Sequence, residues 1–114
     1  MWRNEDYKRI FKRINSLKNE MVRAQVRLTA IPALSPINKG EGEVKKAAYV
    51  KKLLKSVGFD QISELRAPDK GVPCGYRPSL VARLKGRDKN AKTIWIMSHL
   101  DIVPPGPRHL WKHD

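Results

Sequence analysis

Apolar residues in the first half of the chain recur at intervals of three and four positions, the spacing of one face of a helix. This pattern predicts two helices, over about residues 5–30 and 43–57. Pro32 and Pro36 follow the first pattern and would end its helix. Gly58 follows the second, where a glycine in the left-handed conformation commonly closes a helix.

From residue 59 onward the pattern changes to short extended segments separated by glycine, proline and polar residues. It predicts three strands, over about residues 61–66, 79–84 and 93–98. The third is the most apolar, and its continuous apolarity is typical of a strand covered on both faces. We therefore predict an α/β fold in which two helices pack on a partial mixed sheet, as a single partial domain over residues 1–114.

His99 and Asp101 lie at the end of the third predicted strand, just before Pro104 and Pro105. Residues two apart in an extended chain project to the same side, so the two side chains should be neighbours. A metal site can use this arrangement, because one ring nitrogen binds the ion while a carboxylate accepts the other ring N–H. From these two residues alone, an ordinary hydrogen-bonded pair is the more common interpretation.

The segment SHLDIVPPG at residues 98–106, followed by Trp111, resembles the first metal motif of the M20 metallopeptidases and amidohydrolases. That family includes aminoacylases, acetylornithine deacetylase and succinyl-diaminopimelate desuccinylase. The segment RPSLVARLKG at residues 77–86 is similar to the strand that precedes this motif, although Ser79 stands where Asn is more usual. The segment IPALSP at residues 31–36 is similar to the family's opening, so the resemblance runs in order along almost the whole chain.

The resemblance implies a hydrolase with two zinc ions that cleaves the amide bond of an N-acyl amino acid or a small peptide. His99 would bind one zinc, and Asp101 would hold the His99 ring and raise its basicity. The family's other metal ligands and its general-base Glu lie beyond the position where this chain ends. We therefore expect the N-terminal part of a zinc-peptidase-like catalytic domain, with at most a partial zinc site and no activity alone; a homodimer of the full-length enzyme stays open.

The chain contains 24 Lys and Arg against 11 Asp and Glu, a net charge of +13 that suggests an anionic partner. The basic residues are spread over predicted helices and turns, among them Lys8, Arg9, Lys12, Arg13, Lys45, Lys46, Lys51, Lys52, Arg87, Lys89 and Lys92. We interpret this spread as a solvated lysine-rich surface, so nucleic acid is not the expected partner. A basic polyanion-binding module and a non-functional truncated remnant remain the alternatives to a hydrolase fragment.

Cysteine and histidine usage narrows the other classes of site. Cys74 is the only cysteine, which excludes an intrachain disulfide and a cysteine-based zinc site. His109 and His113 are four apart, but Pro107 leaves little chain for a helix, and we predict surface histidines rather than zinc ligands. There is no signal-peptide pattern and no run of about 20 apolar residues, so we expect a cytoplasmic protein without a membrane partner.

Overall fold

The computed structural model describes residues 3–88 and 90–113, which form three α-helices and two β-strands. This confirms the α/β class. The described chain divides into two compact units, one up to Ile31 and one from Pro32 onward. The single partial domain over residues 1–114 stays a prediction. The elements in chain order are α1 (Asn4–Ser16), α2 (Lys18–Ala30), α3 (Val44–Val57), β1 (Gln61–Pro68) and β2 (Tyr76–Arg83).

The first unit contains α1 and α2, where the sequence predicted one helix over residues 5–30. The break lies at Leu17, whose N–H donates to the Ile14 carbonyl at 3.0 Å instead of reaching back four residues to Arg13. The hydroxyl of Ser16 donates to the Arg13 carbonyl at 2.7 Å, the acceptor that the Leu17 N–H would use in a continuous helix. A local side-chain hydrogen bond therefore accompanies the division of the predicted helix.

In the second unit, α3 packs on the hairpin of β1 and β2. The two strands are antiparallel, with Gln61 opposite Arg83 at one end and Pro68 opposite Tyr76 at the other. The buried apolar residues of the described chain are few and small, and they include Ala33, Ala47, Val72 and Pro78. The packing that holds this unit together is thus limited to the α3 face, the hairpin and the loop that precedes α3.

The loop before α3 depends on close backbone approach. The N–H of Gly42 donates to the Leu34 carbonyl at 3.0 Å, and Gly42 has a φ of +81° that favours glycine.

The next residue, Glu43, is 5% exposed and its carboxylate bonds the guanidinium of Arg77 on β2. A buried charge must be paired, and this ion pair satisfies that requirement while joining the start of α3 to the sheet.

The sheet differs from the prediction, because it is two-stranded and antiparallel rather than mixed. Residues 93–98, the predicted third strand, form no ladder with any part of the chain that the structure describes. Ile94, Trp95, Ile96 and Met97 are 86, 74, 92 and 88% exposed. A strand is defined by its pairing, and an apolar β-branched sequence cannot become one without a neighbouring strand that accepts its hydrogen bonds.

Most of the basic residues singled out in the sequence are on the surface, but Lys46 is 7% exposed, which corrects its place in the solvated set; Lys89 lies outside the described residues. Between residues 3 and 113, leaving out Lys89, there is no helix with the length and apolarity needed to cross a bilayer.

Candidate metal-binding pair

His99 and Asp101 are neighbours, as their spacing predicted. Nδ1 of His99 lies 3.2 Å from Oδ1 of Asp101 and 2.9 Å from the main-chain carbonyl oxygen of the same residue. The His99 side chain is 82% exposed and that of Asp101 is 54% exposed. The pair is therefore open to solvent, whereas the sequence predicted it at the end of a covered strand.

The surroundings of the His99 ring select one tautomer. Both oxygens beside Nδ1, the Asp101 carbonyl and the Asp101 carboxylate, can only accept a hydrogen bond. In the neutral ring, Nδ1 therefore carries the hydrogen and donates a hydrogen bond to Asp101, which leaves the lone pair on Nε2. A metal ion binds the unprotonated nitrogen of an imidazole, so Nε2 is the atom of this pair suited to a metal.

The backbone next to the pair is anchored to an earlier part of the chain. The N–H of Ile102 donates to the carbonyl of Ala33 at 3.1 Å, and Leu34 and Ile102 form an isolated parallel bridge. Ala33 is fully buried, so this contact fixes Ile102 against a packed part of the second unit. Two segments that the family resemblance had singled out separately, residues 31–36 and 98–106, are thus joined directly.

The chain beyond the pair folds back in a small loop. Gly106 adopts a φ of +78°, and the indole Nε1–H of Trp111 donates to the carbonyl of Pro105 at 2.9 Å. A short 3-10 helix, Arg108–Leu110, lies inside this loop. The loop gives Trp111 a clear local role, which is to close the turn that follows the pair.

A catalytic zinc ion needs three protein ligands, and the pair offers one. Among residues 3–88 and 90–113 there is no group of three or more His, Cys, Asp or Glu side chains that could hold a metal ion. His109 and His113 are exposed, and the 3-10 helix ends at Leu110, so no helical face brings these two rings together. The described residues can therefore supply one oriented imidazole ligand to a metal ion, but they do not form a complete metal site.

The roles predicted for this pair, His99 as a metal ligand and Asp101 as the residue that orients it, remain predictions. The geometry supplies what both roles require, a carboxylate beside one ring nitrogen and an exposed second nitrogen. Sequence periodicity found both residues, because period-two spacing is a local property of the chain. It gave no indication of the contact between Ala33 and Ile102, which joins positions far apart in the sequence.

The chain is similar to two curated proteins, each named as an uncharacterized metallohydrolase. It is 36% identical over 100 residues to one from Methanocaldococcus jannaschii, a match covering 83% of this chain and 24% of that relative. It is 30% identical over 108 residues to one from Methanococcus maripaludis, covering 89% of this chain and 25% of that relative. No protein-family model matches the chain, and no solved structure does. The chain thus spans about a quarter of the length of these relatives, whose names state a metal-dependent hydrolase and specify neither family nor substrate.

Proposed function

We propose that this chain supplies part of the active site of a metal-dependent hydrolase. The observation that carries the proposal is the His99–Asp101 pair, in which Nδ1 faces a carboxylate at 3.2 Å and the ring is exposed. The similarity to two proteins named metallohydrolases supports the same class of reaction. The finer assignment, to an M20-type zinc enzyme, is supported by the resemblance of residues 98–106 to that family's first metal motif.

In the proposed site, Nε2 of His99 is a ligand of a zinc ion. Asp101 is a positioning residue, because it acts through the imidazole: it accepts a hydrogen bond from Nδ1–H, holds the ring plane and increases the basicity of Nε2. Zinc, when bound, makes a water molecule acidic enough to attack at neutral pH and polarises a carbonyl group. The remaining ligands and the general base belong to the longer protein, of which we propose this chain corresponds to about a quarter.

The proposed substrate is an N-acyl amino acid or a small peptide. Hydrolysis adds one water molecule across the amide bond, so that the acyl carbon receives the hydroxyl group and the nitrogen receives a proton. The products are a carboxylate and a free amine. The substrate class rests on the M20 resemblance, and for that reason it is the first property that an activity assay should examine.

The test is a chimaera in which this chain replaces the matching quarter of the Methanocaldococcus jannaschii relative. We expect the purified chimaera to contain zinc and to hydrolyse members of a panel of N-acetyl amino acids and dipeptides. His99→Ala should lower the zinc content and reduce kcat/KM by about 100-fold or more, because a metal ligand is lost. Asp101→Asn should cost about 10- to 100-fold, the usual range for a carboxylate that orients a ligating histidine.

His109→Ala is the matched control, since it removes an exposed imidazole that has no role in the proposed site. It should leave both zinc content and turnover unchanged. Full turnover after His99→Ala would exclude the assignment of His99 as a ligand. A folded chimaera with zinc but no amide hydrolysis would keep the metal role and exclude the substrate class, and a chimaera without either would favour a non-functional remnant.

A further inference from the structure

A cleft of about 450 Å³ lies between α3 and the hairpin in the second unit. One wall is formed by consecutive turns of α3 and the other by side chains of β1 and β2. The volume lies within the range of small-molecule sites, which is about 300 to 1,000 Å³. The lining consists of Val44, Ala47, Ala48, Lys51, Lys52, Lys55, Glu64, Arg66, Tyr76 and Pro78.

One carboxylate in this cleft, that of Glu64, pairs with two of the basic side chains. Glu64 accepts hydrogen bonds from Nζ of Lys51 and Nε of Arg66, each at 2.8 Å, and its side chain is only 16% exposed. These bonds, first that of Lys51 and then that of Arg66, lower the pKa of Glu64, so the carboxylate stays ionised at neutral pH. The guanidinium of Arg66 also stacks over the Tyr76 ring, 4.4 Å from its centroid.

Two further cations in the cleft lack such a partner. Lys52 and Lys55 lie three residues apart on α3, are exposed, and form no ion pair with the residues that the structure describes. Four basic residues and one acidic residue line the cleft, so its net charge is +3. Helix neighbours at this spacing lie on one face, and both ammonium groups can therefore approach the same ligand.

Part of the cleft lining is apolar. This part, called the floor below, consists of Val44, Ala47 and Ala48 on α3 and Pro78 on β2, of which Ala47 and Pro78 are buried. A lining that combines cations with apolar side chains suits a ligand that is anionic at one end and apolar or aromatic at the other. A phosphate group carries a charge close to −2 at neutral pH and accepts several hydrogen bonds, which matches two unpaired ammonium groups better than one carboxylate would.

We propose that this cleft binds a small organic phosphate, with Lys52 and Lys55 on the phosphate group and the apolar floor under the organic part. The ligand class is that of nucleotides and similar phosphate esters. The site involves neither His99 nor Asp101, so it goes beyond the proposed hydrolase function and can fail or succeed independently of it. The sequence pattern placed Lys52 on a solvated surface, because the cleft forms only when α3 packs on the hairpin.

The test is isothermal titration of the full chain with ATP, with adenosine as the ligand that lacks phosphate. We expect saturable binding of one ATP per chain and none of adenosine. The double variant Lys52→Gln/Lys55→Gln should weaken ATP binding by about tenfold, since each exposed charge contact contributes up to about a factor of five. Both side chains are exposed, so far-UV circular dichroism of this variant should match that of the parent chain.

The matched control is Lys8→Gln/Lys12→Gln, which removes the same charge from exposed positions of α1 in the other unit. Its ATP affinity should stay within about twofold of the parent, because screened charges outside the cleft contribute little.

Glu64→Gln should have the opposite effect on ATP affinity. It releases Lys51 and Arg66 from their carboxylate and should tighten ATP binding severalfold.

Several results would overturn the proposal. Adenosine binding as well as ATP would show that the phosphate is not recognised, and no saturable ATP binding would exclude the site. Equal weakening in both double variants would show diffuse attraction by the net charge of the chain. Binding of a single-stranded oligonucleotide that greatly exceeds ATP binding and falls equally in both double variants would instead favour the general polyanion-binding alternative.

Discussion

The second unit contains two regions that use apolar and polar residues in different ways. In residues 32–83 the buried apolar groups are small, and the charged Glu43 is buried against Arg77, while larger side chains such as Ile37 and Leu65 stay exposed. In residues 93–103 most of the large apolar side chains are exposed, with Ile96 92% accessible. The candidate metal ligand His99 belongs to the exposed region, although its sequence is the more strand-like of the two.

Apolar segments of this unit form regular, packed elements where the backbone has hydrogen-bond partners. Residues 32–83 have them, because α3 packs on the hairpin and the loop before α3 is closed by main-chain hydrogen bonds. Near the metal-binding pair, the long-range main-chain connection among the described residues is that of Ile102 with Ala33 and Leu34. The position of the pair therefore depends on the integrity of the packed region, which substitutions can test.

Gly40→Ala should have the largest effect on stability. A Cβ at residue 40 would lie 2.0 Å from the carbonyl oxygen of Leu34, a backbone atom that cannot move without opening the loop. We expect a loss of roughly 3 kcal/mol in the free energy of unfolding, measured by urea titration with circular dichroism. Because Leu34 bridges to Ile102, the His99 environment should change as well, visible as a shift of its ring resonances in NMR spectra.

Gly86→Ala is the control for this substitution, since its Cβ would approach nothing closer than the Asp88 carbonyl oxygen at 3.7 Å. It should change stability by less than about 0.5 kcal/mol. Equal unfolding midpoints for the two variants would contradict the role of the loop in holding the packed region together.

Glu43→Gln should have the second largest effect. In the native chain, the buried Glu43 carboxylate bonds the Arg77 guanidinium and raises its pKa. The substitution removes this carboxylate and leaves Arg77 with that of Asp69, 3.5 Å away. We expect a loss of about 2 kcal/mol, because breaking one side of a buried charged hydrogen bond is costly. Differential scanning calorimetry at pH 7 would measure it.

The matched control is Glu41→Gln. Glu41 precedes Glu43 by two residues in the same loop, and its exposed carboxylate pairs with Lys45. Lys45 lowers the pKa of Glu41, but both side chains are about two-thirds exposed, so the change in stability should be far smaller than for Glu43. Similar calorimetric shifts for the two variants would indicate that the buried pair of Glu43 stabilises the fold no more than the exposed pair of Glu41 does.

Ile96→Ala should have the smallest effect, in spite of the size of the residue removed. Ile96 is 92% exposed and leaves no cavity, so we expect a change below about 0.5 kcal/mol in the free energy of unfolding. Val72→Ala removes fewer atoms but is 4% exposed, and it should cost about 1 to 2 kcal/mol. A larger loss for Ile96→Ala in urea titrations would show that the exposed region is packed in solution.

Local patterns of the sequence identified much of the fold. The α/β class was predicted and is confirmed, because helical and extended periodicities are readable in short windows. The division of the first helix at Leu17 was not predicted, since Ser16 is not a strong breaker and its bond to the Arg13 carbonyl is visible only in three dimensions. The predicted strand over residues 93–98 failed for a different reason, because its sequence is suitable but the described chain offers it no partner.

What the sequence determined by itself about this protein is local: where helices and strands can form, and that His99 and Asp101 face the same side. Tertiary structure decided which residues separated along the chain come together. It buried Glu43 against Arg77, joined Ile102 to Ala33, and paired Lys51 with Glu64 in a cleft that Lys52 and Lys55 also line. Periodicity follows from the geometry of a single element, whereas burial and pairing follow from contacts between elements, which no short window of sequence contains.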